Sequence, residues 1–331
     1  MKKLPLLFAS FALFAVHFSN AALPELPQPA TSFGATLAEG WLYIYGGNTG
    51  KAHEFHRDCV KGDFFRLKLP DGTAWEQLPG GTALLSSSLV AHEGKIIRIG
   101  GMNARNAKGE KNDLHSTTEV MRFDPATQKW DALPALPEAR SSHDAVVVGD
   151  TLYVGGGWRL VGDDGDGAAA TWENTLLSLD LKAPDKGWQK KAQPFERRAI
   201  AAVADGKRLW FFGGMDSHDK PSRAVDWCDL ATGDWGKGPD LPEGPMAGFG
   251  VAGCLGDGRV LSSPLSGKIS ALGADGKAWE EIATLSPARF FHRLLPMTDG
   301  RLIAVGGSNK QGQVRTLEII SLNQTPTASL P

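Results

Sequence analysis

Apolar residues recur along this chain in short runs that end on glycine, with no long helical periodicity between them. The run Ile96 to Ile99 stops at Gly100-Gly101, and a second run, Thr118 to Phe123, leads into Asp124-Pro125-Ala126-Thr127, Trp130 and the closing phrase Leu133-Pro134-Ala135-Leu136-Pro137-Glu138-Ala139-Arg140. Short runs bounded by glycine, proline and aspartate predict strands joined by turns. Strand, double glycine, strand, turn and tryptophan are what one four-stranded antiparallel sheet requires. Such a sheet cannot bury both faces alone, so the pattern must recur.

It does recur. Doublets stand at Gly46-Gly47, Gly100-Gly101, Gly156-Gly157, Gly213-Gly214 and Gly306-Gly307, with Ser262-Ser263 in the place of a sixth; the markers Trp75, Trp130, Trp188, Trp235 and Trp279 accompany them, at spacings of 44 to 58 residues. A period of this length belongs to propeller blades, so the expected fold class is all-β, a six-bladed propeller of four-stranded antiparallel blades. The glycines let backbones pass closely near the crowded centre and each tryptophan wedges between blades, so both sets read as core. The last unit, Arg289 to Asn323, has three strands and then stops. Ala22-Leu23-Pro24-Glu25-Leu26-Pro27-Gln28-Pro29 resembles the closing phrase and is the expected outer strand of that blade, closing the ring and removing two free edges. The blade with Ser262-Ser263-Pro264 is expected to be the least regular, because proline removes a backbone donor there.

Composition narrows the picture. The 331 residues include forty glycines and twenty prolines, which suit many short strands. Lys2-Lys3, the apolar run Leu4 to Val16, and Ser19, Asn20, Ala21 and Ala22 read as a secretory signal over residues 1–21, cut after Ala21 or Ala22. Residues 22–331 are then one propeller domain, periplasmic or secreted, with no membrane span. The formal charge of −2 becomes −4 without Lys2 and Lys3, which gives no support for a nucleic-acid partner. Cys59, Cys228 and Cys254 follow no metal or redox spacing; at most one pair can bridge, and Cys254 reads as a buried free thiol.

The doublets, the phrase Asp124 to Trp130 and its echoes at Ala231-Thr232-Gly233-Asp234-Trp235 and Asp275-Gly276-Lys277-Ala278-Trp279 resemble kelch repeats over essentially the whole of residues 22–331. In kelch propellers, loops after each doublet and loops entering each innermost strand converge over the central channel. At these positions stand Asn48, Asn103, Trp158 and Arg159 in the first set, and Arg140, His143, Arg198, Arg289 and His292 in the second. Arginine forks suit carboxylates, so the cup is expected to take a small acidic sugar or glycan. Arg140 and Arg289 have a second reading as clamps on neighbouring carbonyls, and His143 and His292 as satisfied channel-lining side chains.

The Leu-Pro-rich start resembles the exported N-acetylneuraminate epimerases, relatives of the cyclically permuted mutarotases. That resemblance implies an isomerase acting on a carboxylated sugar by acid/base chemistry, without metal or other cofactor. The family's catalytic motif matches Gly214 to Asp226, where Arg223 falls on the motif's arginine and Met215 on its glutamate. A methionine can neither take nor return a proton, so Asp216 is the expected replacement, with His218 or His292 as its acid partner. The alternative is a non-catalytic cup for a glycan or another exported protein. Asp163-Asp164-Gly165-Asp166-Gly167 lacks the downstream glutamate of an EF-hand and reads as a solvated loop. No histidine pair has zinc spacing, and Tyr43, Tyr45 and Tyr153 fall inside strands, away from where a copper radical site would need them.

Overall fold

The computed structural model describes residues 22–162 and 170–322. The expected leader and the acidic loop 163–167 lie outside the described residues. Strand Trp41–Asn48 shows how the sequence makes a blade. Its alternate side chains both find cores: Leu42 and Ile44 pack with Leu26, Phe33, Ile303 and Val305, whereas Tyr43 and Tyr45 pack with Phe64, Phe123 and Trp130. A strand buried on both faces reads as a continuous apolar run rather than an alternating one, which is the pattern seen before each doublet.

Five four-stranded antiparallel sheets and one three-stranded sheet follow in chain order, the first built from Gly34–Ala38, Trp41–Asn48, Val60–Lys68 and Glu76–Leu78. Their innermost strands, Gly34–Ala38, Ser88–His92, Asp144–Val148, Ala201–Ala204, Ala252–Gly256 and Arg293–Pro296, neighbour one another in sequence, and the last lies beside the first. The sheets therefore form a ring. Among the described residues the one helical element is the single 3-10 turn Pro184–Lys186, and no helix is long and apolar enough to cross a membrane.

The ring joins differently from the expectation at the N-terminus. Residues 22–29 form no strand, and the sheet of Arg293–Pro296, Leu302–Val305 and Leu317–Ile320 keeps three. Pro24, Pro27 and Pro29 lack the N–H groups a ladder needs. The segment still docks on the last blade, where the Leu26 N–H bonds the Arg315 carbonyl at 2.8 Å and the Arg315 guanidinium bonds the Leu26 carbonyl. Leu136 makes the same contact within the second blade, bonding the Thr118 carbonyl at 2.9 Å. The tryptophans mark the same equivalence. Trp130, Trp188, Trp235 and Trp279 donate from Nε1 to Pro79, Pro134, Ala192 and Pro239 of the preceding blade, and Trp75 donates to Glu25 at 2.8 Å. The N-terminal segment thus supplies the closing phrase of the sixth blade.

One repeated feature positions the site. Two residues before each innermost strand the chain turns left-handed, at Ser32, Ser86, Ser142, Ala199, Gly250 and Phe291, with φ between 53° and 59°. These residues form a belt, because the N–H of Ser86 bonds the carbonyl of Ser32, Ser142 that of Ser86, Ala199 that of Ser142, and Phe291 that of Gly250. The doublet lies against this belt. A Cβ on Gly157 (φ 90°) would meet the Ser141 carbonyl at 2.6 Å, so glycine is required there both by conformation and by space.

The blade without a doublet departs from the others as expected. Ser262 and Ser263 are buried, neither adopts positive φ, and the chain turns straight back at Pro264 to Gly267. Its second and third strands share only the pairs Leu261↔Ala271 and Ser262↔Ser270, and a register shift follows at Ile269/Ser270. On the opposite side of the mouth, hairpins from the second and third blades merge into an extra sheet of Met102–Ala104, Leu114–Ser116, Trp158–Gly162 and Ala170–Trp172.

Candidate functional site

The belt encircles a cavity of about 710 Å³, within the range of roughly 300–1,000 Å³ usual for small-molecule sites. One wall is aromatic, with Phe249, Phe290 and Phe291 packed at centroid separations of 5.1 to 5.3 Å. The extra sheet raises another wall, on which Trp158 packs against Trp172 and the Arg198 guanidinium lies 4.1 Å over the Trp158 ring. Asn309, Gln311 and Gln313 line the third side. Among the described lining residues Lys51, Arg198, Arg293 and Lys310 carry positive charge, and none is aspartate or glutamate. Two of the lining cations are paired with carboxylates outside the lining: Arg198 with Asp219 at 3.1 Å and Arg293 with Asp144 at 3.2 Å.

His143 and His292 sit at the floor, 4% and 3% exposed. Burial, with the nearby guanidiniums of Arg140 or Arg289 and of Arg293 adding, pushes each imidazole down to about 3. They approach the Ile99 and Arg289 carbonyls, which opposes that trend only weakly. Both rings are therefore neutral near pH 7. Among the described residues neither ring nitrogen of His143 has a partner at hydrogen-bond geometry, and His292 uses Nε2 on Ser263 Oγ at 3.0 Å while Nδ1 has none. Trp158 Nε1 and Arg198 Nε are also buried without partners. These atoms have almost no accessible surface, so they stand behind the cup lining rather than in the open cavity.

Of the expected site residues, the structure brings Asn48, His143, Trp158, Arg198 and His292 to this cup. Asn48 is occupied there, since its side chain holds the Gly50 N–H and the Glu54 carbonyl. Arg140 and Arg289 are corrected to clamps. Both are fully buried; Arg140 bonds the carbonyls of Gly156 and Thr175 and the Glu173 carboxylate, and Arg289 bonds the Thr316 carbonyl and Glu318. Arg197 clamps the fourth blade in the same way, onto Gly213, Ala224 and Asp226. Asn103 and Arg159 lie on the extra sheet, outside the cup lining.

Asp216, His218 and Arg223 also lie outside it. Asp216 caps its own loop by accepting from the N–H groups of His218 and Lys220; burial raises its pKa, but these bonds outweigh that and hold the carboxyl below its usual range. A carboxylate so stabilised is a poor proton acceptor at neutral pH. Arg223 donates from Nε to the Leu241 carbonyl. The residues that sequence reading missed are Lys51, Phe249, Lys310 and, above all, Arg293. Arg293 directly follows His292, as Asp144 follows His143, and an alignment of the two lead phrases exposes both.

Cys59, Cys228 and Cys254 are all free and buried, and burial pushes the Cys254 thiol well up. Among the described residues His92, Glu93 and Asp150 come close enough to share an ion, but they are surface groups and Lys182 already pairs with Glu93.

Radial sheets, glycine doublets under a left-handed belt and tryptophans reaching back to the preceding blade define the class: this is a kelch-type β-propeller. Comparison with known proteins agrees. The chain is 23% identical over 202 residues to beta-scruin of Limulus polyphemus, covering 60% of this chain and 20% of that protein. It is 36% identical over 143 residues to the kelch-like protein terF of Aspergillus terreus, covering 42% and 29%, and 22% identical over 194 residues to the kelch repeat and BTB domain-containing protein 12 of Danio rerio, covering 56% and 30%. The chain thus spans less than a third of the length of these curated relatives. The solved structure of YjhT superposes with a TM-score of 0.74 at 17% identity, covering 92% of this chain and 98% of that one. No family model matches.

Proposed function

We propose that this propeller is an exported binding module whose cup takes a small acidic molecule, a carboxylated sugar or the acidic end of a glycan, without converting it. The observation that carries this reading is the charge of the lining: Lys51, Arg198, Arg293 and Lys310 with no carboxylate among the described residues facing the cavity. Phe249, Phe290, Phe291 and Trp158 supply apolar faces for a sugar ring. Binding needs only these groups. An epimerase- or mutarotase-like step, which the resemblance of Gly214 to Asp226 implies, needs a proton-transfer group as well, and Asp216 is committed to its loop.

That second reading keeps one support. Met215–Asp216 pairs with Arg197–Arg198, and Asp219 bonds Arg198, so the motif segment adjoins the cup. Proton NMR of sialic acid and a panel of uronic acids separates the two readings in one tube. Saturation transfer to at least one acid, with anomer exchange no faster than in buffer, is the expected result. Accelerated exchange that disappears in Arg223→Ala and Asp216→Asn establishes the catalytic reading instead.

A further inference from the structure

The innermost strands begin at Gly34, Ser88, Asp144, Ala201, Ala252 and Arg293. Only the third and sixth are charged, and in a ring of six these positions stand opposite each other. The Arg293 Nη1 donates to Asp144 Oδ1 across the axis at 3.2 Å, and its Nε donates to the Phe33 carbonyl at 3.3 Å. Asp144 is fixed in turn by the Ser88 hydroxyl at 3.4 Å and by the Ala202 N–H at 2.9 Å. Arg293 lines both the cup and a second cavity of about 330 Å³ further down the channel, where Asp144 also lies. The pair bars the axis and makes the cup blind at its base.

We infer that Arg293 is the seat for the ligand's carboxylate, an assignment that rests on the acidic-ligand reading above. Arg293 Nη2 makes no hydrogen bond among the described residues, so part of its fork is free to bond a ligand. A carboxylate accepts strong charge-assisted hydrogen bonds from a guanidinium, and Arg293 lines the cup. Arg198 is placed otherwise: its guanidinium lies over the Trp158 ring with Nη2 on Asp219, and so forms a wall rather than a floor. Asp144 holds Arg293 on the axis but repels an incoming carboxylate, so the two members of the pair have opposite effects on binding.

That opposition is the test. Glucuronate, galacturonate and their methyl esters are titrated calorimetrically into the wild-type chain and into Arg293→Ala, Arg293→Lys, Asp144→Asn and Arg198→Ala, with a thermal melt of each. Arg293→Ala is expected to weaken acid binding by about ten- to a hundredfold. Asp144→Asn, which keeps the side chain's shape, is expected to tighten it severalfold, and the esters are expected to respond to neither change. Arg293→Lys, retaining the charge without the fork, should fall between wild type and Arg293→Ala, and it carries the test if the alanine variant does not fold. Equal weakening by Arg293→Ala and Asp144→Asn makes the pair a structural bar and overturns the assignment. Loss of binding in Arg198→Ala with binding retained in Arg293→Ala overturns it by placing the seat on the wall. If the wild-type chain binds no acid, the acidic-ligand reading falls and this assignment falls with it.

Discussion

The lead phrases of the third and sixth blades, Arg140-Ser141-Ser142-His143-Asp144 and Arg289-Phe290-Phe291-His292-Arg293, occupy equivalent places on opposite sides of the ring. Each begins with a buried arginine clamped to its own blade, passes through a left-handed residue and a neutral buried histidine, and ends at the channel. They differ most at that last position, where one carries a negative and the other a positive charge. The comparison separates two kinds of arginine that look alike in sequence. An arginine that opens the phrase is spent on backbone carbonyls, whereas the one that closes it keeps donors for the cavity.

The strongest way to break the comparison is to remove a clamp. Arg140→Ala leaves Glu173 and several carbonyls buried without their partner, and loss of about 3–5 kcal/mol is expected from such a change, read as the urea midpoint. Arg289→Ala should cost less, because Glu318 is 25% exposed and Glu173 only 8%. Equal and small effects at both positions would remove the distinction between clamp and seat.

Ring closure offers the next largest effect. Leu26 and Leu136 make the same contact, one from the N-terminal segment and one within a continuous chain, and both are buried. Leu26→Ala and Leu136→Ala are each expected to lower stability by about 2–4 kcal/mol. A change at Leu26 that leaves the melting curve unmoved would show that the N-terminal segment does not hold the sixth blade.

Acid should weaken both lead phrases alike. The folded-state pKa of His143 and of His292, about 3, lies below the unfolded value near 6.5. Between these limits the unfolded chain binds more protons, so stability is complete above pH 6.5 and declines as the pH falls toward 3. By pH 5 the loss amounts to roughly 2 kcal/mol for each imidazole. His143→Gln should flatten the curve of melting temperature against pH by half of this total. An unchanged slope would mean that the ring is already protonated in the folded state. The smallest effect is expected from Trp75→Phe, which keeps most of the apolar wedge and removes the bond to the Glu25 carbonyl; about 1 kcal/mol of stability should be lost in a urea titration.

The scaffold was legible because it repeats. Doublets and tryptophans recur at blade spacing, and the structure gives them one role each, under the belt and against the preceding blade. The cup was legible only in part. His143, Trp158, Arg198 and His292 follow from their place in the repeat, but no local pattern tells whether an arginine at a loop position finds a carbonyl, as Arg140 and Arg289 do. Arg293 was hidden for a different reason. Its partner Asp144 lies 149 residues away, and the contact exists only once six blades close into a ring. The motif segment from Gly214 to Asp226 misled in the other direction, since Asp216 satisfies its own turn.

The central claim is that the cup selects negative charge. Titrating the wild-type chain with glucuronate and with its methyl ester, at low and at physiological salt, tests it most directly. The account predicts one site per chain, at least about tenfold preference for the acid at low salt, and a preference that narrows as salt screens the exposed Lys51 and Lys310. Equal affinity for acid and ester at both salt concentrations would contradict it.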